Sequence, residues 1–346
     1  MAMTGTLRAV RAPFGRSGVR FGPSKPRAAN LCWRRNARPC GRKRLHCAAV
    51  SPEVAELQEK FAISGCVDIT EGEGGLPKVV LQHACGSSAE VYLFGACVTS
   101  WKQSSGDEVL FVRPDAKFDK SKPISGGIPI CFPQFGPGKI QQHGFARNLD
   151  FTIASTSADY QPDERDPEVE LVLSPSTYTE EMYPHPFKVV YSISLHGETL
   201  NTDFRVINEG GAPLEFTAAL HSYFEVAGID KAKVRGLRGV EYLDKVVDAN
   251  NPPRKTQEEG NLEFKGPVDS VYLGVPGYVD LDVGTGAAIA ITFDGWEDVT
   301  VWNPWTDMPA CYENFVCVEN VKYGKPATVQ PEDSWRGTTS FQVVDL

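Results

Sequence analysis

The sequence predicts an all-β protein, a large β-sandwich folded as one domain. Three observations carry this. Short runs rich in β-branched and aromatic residues recur along most of the chain. Gly, Pro, Asn and Asp clusters separate them at short intervals. Beyond residue 61, no stretch has the apolar spacing of a long amphipathic helix.

In chain order, residues 51–61 read as a short helix, with Val54, Leu57 and Phe61 at helical spacing. Residues 79–81 form an apolar run before a Gly86-Ser87-Ser88 turn, and 90–94 and 98–102 follow as strands. Residues 160–167 are polar and Pro-bearing and read as a surface loop. Residues 187–195 alternate, and 202–207 continue the pattern after His196-Gly197-Glu198. Asn208-Glu209-Gly210-Gly211 reads as a hairpin-type turn. Residues 214–224 read as one strand, 248–260 as a second surface loop, and 287–293, 300–302, 315–318 and 338–344 as the remaining strands. No internal repeat of fixed period is present.

Charge divides the chain. It holds 35 Lys+Arg against 44 Asp+Glu, a net of -9. Residues 1–50 contain 12 of those basic residues and no acid, so the rest carries a net of -21. A body that acidic excludes nucleic acid as a natural partner, since phosphate binding needs a positive face. No apolar run reaches the roughly 20 residues of a membrane helix, so no membrane partner is expected. The basic, acid-free leader fits an organelle transit peptide over residues 1–48, disordered and cleaved near Cys47-Ala48-Ala49, leaving residues 49–346 as the single sandwich domain. Its Arg richness and few serines lean mitochondrial.

Of nine Cys, Cys32, Cys40 and Cys47 fall in the leader. Cys66, Cys85, Cys97, Cys131, Cys311 and Cys317 are spread without a CxxC pair, which argues against a disulfide framework or zinc site. Cys97, Cys131 and Cys317 read as small core residues. The six His include His46, and none forms a metal-ligand spacing. Gly136-Pro137-Gly138-Lys139 lacks the rest of a phosphate loop and reads as a turn, and no dinucleotide fingerprint is present. Neither metal nor cofactor is expected.

Two strands break their own pattern. Leu214, Phe216, Ala218 and Leu220 are apolar alternate positions, which puts His221 on the opposite face with Thr217, Ala219 and Tyr223. In Phe315-Val316-Cys317-Val318-Glu319 a carboxylate ends a run that reads as buried. Desolvation raises a carboxyl pKa, which suits a group that takes and returns a proton.

Eight ordered segments then give a resemblance. They are 75–81 (Gly-Leu-Pro-Lys-Val-Val-Leu), 92–101 (Tyr-Leu-Phe-Gly-Ala-Cys-Val-Thr-Ser-Trp), 126–136 (Gly-Gly-Ile-Pro-Ile-Cys-Phe-Pro-Gln-Phe-Gly), 142–148 (Gln-His-Gly-Phe-Ala-Arg-Asn), 220–224 (Leu-His-Ser-Tyr-Phe), 268–272 (Val-Asp-Ser-Val-Tyr), 301–305 (Val-Trp-Asn-Pro-Trp) and 317–320 (Cys-Val-Glu-Asn). With them the chain resembles the aldose 1-epimerase, or galactose mutarotase-like, superfamily, and within it the glucose-6-phosphate 1-epimerase branch.

The resemblance implies a β-supersandwich with an open cleft on one sheet, and an isomerase that opens and recloses a sugar ring by acid–base chemistry. His221 matches the general acid and Glu319 the general base. His143, Asp269, Trp302 and Gln142 match positions at the sugar, and Arg147 a contact to a 6-phosphate. The branch usually carries Arg before Gly-Gly-Ile-Pro; this chain has Ser125, and Arg113 and Lys122 are the cations nearby in sequence. The implied partner is a small-molecule sugar or sugar phosphate, glucose 6-phosphate first, acted on by a monomer. Two other readings stay open: an aldose 1-epimerase of unphosphorylated sugars, and a non-catalytic carbohydrate-binding protein. Motifs of this kind behind a basic leader look most like the plastid members, which points to chloroplast, with mitochondrion as the alternative.

Overall fold

A computed structural model describes residues 51–158, 165–258 and 260–346. The leader, with His46, Cys32, Cys40 and Cys47, lies outside the described residues, as does most of the 160–167 loop.

Three antiparallel sheets make up the described chain. A four-stranded sheet runs in chain order, Val67–Glu71, Pro77–Gln82, Ser88–Tyr92 and Val98–Lys102. An eight-stranded sheet has the order Arg254–Thr256, Glu241–Asp244, Val268–Tyr272, Asp298–Asn303, Phe315–Val329, Leu214–Leu220 and Ile130–Cys131, with Tyr223–Glu225 also paired to Phe315–Val329. A nine-stranded sheet has the order Asn261–Glu263, Lys233–Arg235, Tyr278–Asp282, Ala287–Asp294, Ser334–Asp345, Thr199–Asn208, Phe187–His196, Glu168–Leu173 and Thr152–Ser157. This is the β-supersandwich of the galactose mutarotase-like type.

Strand periodicity builds the core. Leu200, Thr202, Phe204 and Val206 are buried in alternation with more exposed neighbours. Leu200, Phe204 and Val206 meet residues of the other sheets in one continuous apolar cluster that includes Trp101, Phe132, Leu220, Val318 and Phe341. The helix Pro52–Phe61 starts where the Ser51 side chain accepts the Val54 N–H and proline occupies the first turn. It buries Val54 and Phe61. No described helix is long and apolar enough to cross a membrane.

Several local expectations are corrected. Residues 208–211 do not close a hairpin: Thr199–Asn208 belongs to the nine-stranded sheet and Leu214–Leu220 to the eight-stranded one, so this turn carries the chain between sheets. The hairpin lies one turn earlier, where His196 pairs with Thr199. The 214–224 run is interrupted at His221 and Ser222. Within the 248–260 loop, Arg254–Thr256 is an edge strand, exposed on both faces and therefore without an apolar alternation to read. Glu319 is not at a strand end; it lies inside the 15-residue strand Phe315–Val329. Cys97, Cys131 and Cys317 are buried free thiols, as their surroundings predicted.

Candidate active site

The strand Phe315–Val329 has two faces. Val316 and Val318 enter the main core, while Phe315 and Cys317 join a separate cluster on the other side, and Val321 a third. Glu319 lies on that second face, 1% exposed. Its neighbour strand supplies the partner. Leu220 pairs with Asn320 and Tyr223 with Cys317, one alignment maintained across the interruption. Interpolating that register sets His221 opposite Glu319. The interruption itself is held by His221 N–H donating to Pro129 O and Val318 N–H donating to Ser222 O.

His221 Nδ1 lies 3.4 Å from Glu319 Oε1. That is an ion-pair distance, yet the approach is not aligned as a hydrogen bond. Nδ1 of His221 and Oε2 of Glu319 are both buried with no hydrogen-bond partner among the described residues. Such orphaned groups cost stability and persist where a ligand satisfies them. Rings fix the imidazole. Tyr223 stacks on it at 4.8 Å and 9° interplanar angle, while Trp302 and His143 meet it edge-on at 5.8 Å and 5.5 Å.

The remaining expected residues converge from separate segments. Asp269 is paired with Trp302, which is paired with Cys317, so Asp269, Trp302 and Cys317 form one row across three strands. His143 comes from the loop after Ile130–Cys131. It has a left-handed backbone (φ 65°), and its Nδ1 accepts the Gly136 N–H at 3.2 Å. The adjacent Gly144 (φ 70°) must be glycine: a Cβ there would stand 2.1 Å from Phe132 O. Gln142 is exposed, its amide 3.3 Å from His143 Nε2 and its carbonyl accepting from Arg147 at 2.9 Å. Arg147 Nε is buried without a hydrogen-bond partner among the described residues. Every residue expected at the site is therefore in this one region.

Two further residues belong to it. Tyr223 was signalled by its spacing of two from His221. Lys245 was not signalled at all, because it comes from a polar exposed hairpin. Its N–H donates to Asp269 O at 2.8 Å, and its ammonium stands 5.5 Å and 5.9 Å from the Phe135 and Tyr323 ring centroids.

Burial sets the electrostatics. It lifts the Glu319 carboxyl well above its ordinary range, with the Asp269 charge adding to the rise. It drives His221 well below 6.5, with His143 and Arg147 adding to the fall. His143 is pushed down to about 3 by burial, then by Arg147 and Lys245. Burial also raises Asp269. Burial thus favours the uncharged form of each group, a neutral imidazole and a protonated carboxyl, and two groups 3.4 Å apart titrate as a unit.

Among the described residues, His221, Cys317 and Glu319 are the set that could hold a metal ion, with ligand atoms within 4.8 Å of one another. Burial keeps the Cys317 thiol protonated, so an ion would have to displace protons from both the thiol and the carboxyl. A cavity of about 730 Å³ elsewhere is lined by Glu108, Glu198, Glu225 and Asp345 and includes none of these residues. Chemistry, not volume, marks the site.

The family model described as aldose 1-epimerase matches residues 77–342. A provisionally named glucose-6-phosphate 1-epimerase of Cenchrus ciliaris is 36% identical over 294 residues, covering 80% of this chain and 88% of that protein. One of the same provisional name from Escherichia coli K12 is 33% identical over 256 residues, covering 70% and 83%. The crystal structure of a provisionally named mutarotase from Salmonella typhimurium superposes with a TM-score of 0.73 at 28% identity, covering 83% of this chain and 96% of that one. The galactose 1-epimerase of Lactobacillus acidophilus, at 12% identity and TM-score 0.62 over 82% and 99%, shares the fold.

Proposed function

The chain belongs to the aldose 1-epimerase family and is an isomerase, and from that premise we propose that it interconverts the α and β anomers of a hexose 6-phosphate, glucose 6-phosphate first. The observation that carries the proposal is the buried His221–Glu319 pair, each with a polar atom left without a hydrogen-bond partner among the described residues. Mutarotation needs one proton delivered to the ring oxygen and one removed from the anomeric hydroxyl. A pair sharing one proton meets both needs. His221 donates to the ring oxygen while Glu319 accepts from the hydroxyl. The aldehyde rotates about C1–C2, and the roles reverse as the ring closes on its other face. At 3.4 Å the two groups need only a small realignment to pass that proton to His221. Proton transfer alone completes this cycle.

Asp269, Trp302, His143 and Gln142 fit the sugar, Gln142 being the exposed member of the set. Arg147 fits the phosphate, its buried unpaired Nε being a donor that phosphate oxygens would satisfy. Magnetisation-exchange NMR on EDTA-treated protein, with glucose 6-phosphate, glucose and galactose, tests the function. Glucose 6-phosphate is expected to exchange fastest. No acceleration of any of the three would refute the activity. Arg147→Ala is expected to lower the preference for glucose 6-phosphate over glucose by roughly ten- to a hundredfold, the weight of one or two charge-assisted hydrogen bonds. An equal loss on both sugars would favour an aldose 1-epimerase of unphosphorylated sugars.

The pH profile follows from the pair. On glucose, which carries no phosphate to titrate, kcat/KM is expected to show a plateau between two limbs. Below the plateau a second proton settles on His221 and no base remains. Because burial lowers His221, that limb lies below pH 6.5. Above the plateau Glu319 loses the only proton and no acid remains. Because burial raises Glu319, that limb lies well above pH 4.5. An acid limb centred above pH 6.5 would show that His221 is not held neutral.

Residues 1–48 are proposed as a chloroplast transit peptide. A reporter fused to residues 1–60 is expected in plastids of a green cell. Mitochondrial fluorescence would change the organelle, and cytosolic or nuclear fluorescence would remove the proposal.

A further inference from the structure

Ser125 stands where the branch that the sequence resembles usually carries Arg, and the neighbouring strand carries one at Arg113. Residues 109–113 run between two partners. Phe111 N–H donates to Tyr223 O at 3.0 Å, Gly127 N–H donates to Phe111 O at 2.8 Å, and Arg113 N–H donates to Ser125 O at 3.0 Å. Val112 and Gly126 form an antiparallel bridge, so Arg113 stands directly across from Ser125, and such cross-strand neighbours point to the same side. The approach is close: a Cβ on Gly126 would lie 2.4 Å from Val112 Cα. Two residues apart on a strand, Phe111 and Arg113 also share a face. Phe111 stacks on Phe315 at 5.1 Å and packs in the cluster of Tyr223, Cys311, Phe315 and Cys317 that borders His221.

We infer that Arg113 is a specificity residue for the phosphate group, reaching from the opposite strand the place that an arginine at position 125 would serve, and closing with Arg147 on the substrate's 6-phosphate. The inference rests on the hexose-phosphate reading above. The Arg113 side chain is 18% exposed, and its fork is held by Asp115 at 2.7 Å and 2.9 Å, a carboxylate that is itself 64% exposed at the rim. Asp115 orients the guanidinium without burying it. Both Arg113 and Arg147 act electrostatically on the Tyr223 hydroxyl, so both charges are felt at the Tyr223 wall of the cleft. A phosphate dianion drawn to that wall would share the Arg113 guanidinium with Asp115. Lys122 is exposed and does not compete for this role. Lys245 sits against Phe135 and Tyr323, on the side of Asp269.

The test compares kcat/KM for glucose 6-phosphate with that for glucose in four proteins: wild type, Arg113→Ala, Lys245→Ala, and Arg113→Ala with Ser125→Arg. Circular dichroism checks that each is folded. Arg113→Ala is expected to lower the ratio by roughly ten- to a hundredfold, mostly through KM for the phosphorylated sugar, as fits the loss of a charge-assisted pair. Ser125→Arg in that background is expected to restore most of the ratio, which a purely structural role for Arg113 would not allow. A ratio that falls in Lys245→Ala but holds in Arg113→Ala would overturn the inference and move the phosphate to the other end. Wild type that turns over neither sugar would overturn the functional reading itself, a result separate from an active wild type whose ratio ignores Arg113.

Discussion

Replacing His221 with Ala, or Glu319 with Gln, is expected to slow anomer interconversion by at least roughly a hundredfold, the usual weight of a lost general acid or base. Each variant leaves one half of a pair that must give and take a proton in the same cycle. The fold should survive both changes. His221 and Glu319 project from the second face of their strands, while Leu220, Phe224, Val316 and Val318 hold the core behind them. Glu319→Gln should even be as stable as the parent, or more so, at neutral pH. With its carboxyl raised by burial, Glu319 weakens the fold as pH rises above about 4.5, where the unfolded chain ionises and the buried group does not. Glutamine removes that cost. Magnetisation exchange and urea denaturation check both statements. Near-normal exchange in either variant would show that the pair is not the acid and base.

The second large effect concerns the support beneath the site. Phe132→Ala is expected to cost about 3–5 kcal/mol of folding stability, the range for deleting a large buried aromatic ring. Phe132 is fully buried and packs against Phe145, Phe187, Phe204 and Phe216 at centroid distances of 5.4–6.2 Å. Its carbonyl also accepts the N–H groups of Phe145 and Ala146, which hold the loop bearing His143 and Arg147. Activity should therefore fall along with stability. Urea midpoints at constant slope measure the first. A loss under about 1 kcal/mol would mean that the neighbouring rings close the cavity, contrary to the packing described.

Glu319 and His221 were legible in the sequence because strand periodicity is local. Alternation follows from backbone geometry over a few residues, so a polar group on the second face of an otherwise apolar strand is visible without its partners. The ordered segments around Gly126, His143, His221, Asp269, Trp302 and Glu319 likewise carried the family and its supersandwich. The weaker elements escaped for the converse reason. Arg254–Thr256 is exposed on both faces, and nothing in its composition records that it pairs with Glu241–Asp244.

By itself, then, the sequence determined the all-β class and the family, and it marked His221 and Glu319 as the candidate acid and base. Tertiary structure alone decided three things. It set the register that brings His221 opposite Glu319 across a broken strand. It delivered Lys245 from a remote hairpin to the edge of the cleft. It placed Arg113 across from Ser125, while Lys122 stays exposed. Each depends on which strands pair and in what alignment, a choice made by burial of the whole core between distant segments. Local periodicity fixes the face on which a side chain lies, but not the neighbour it meets.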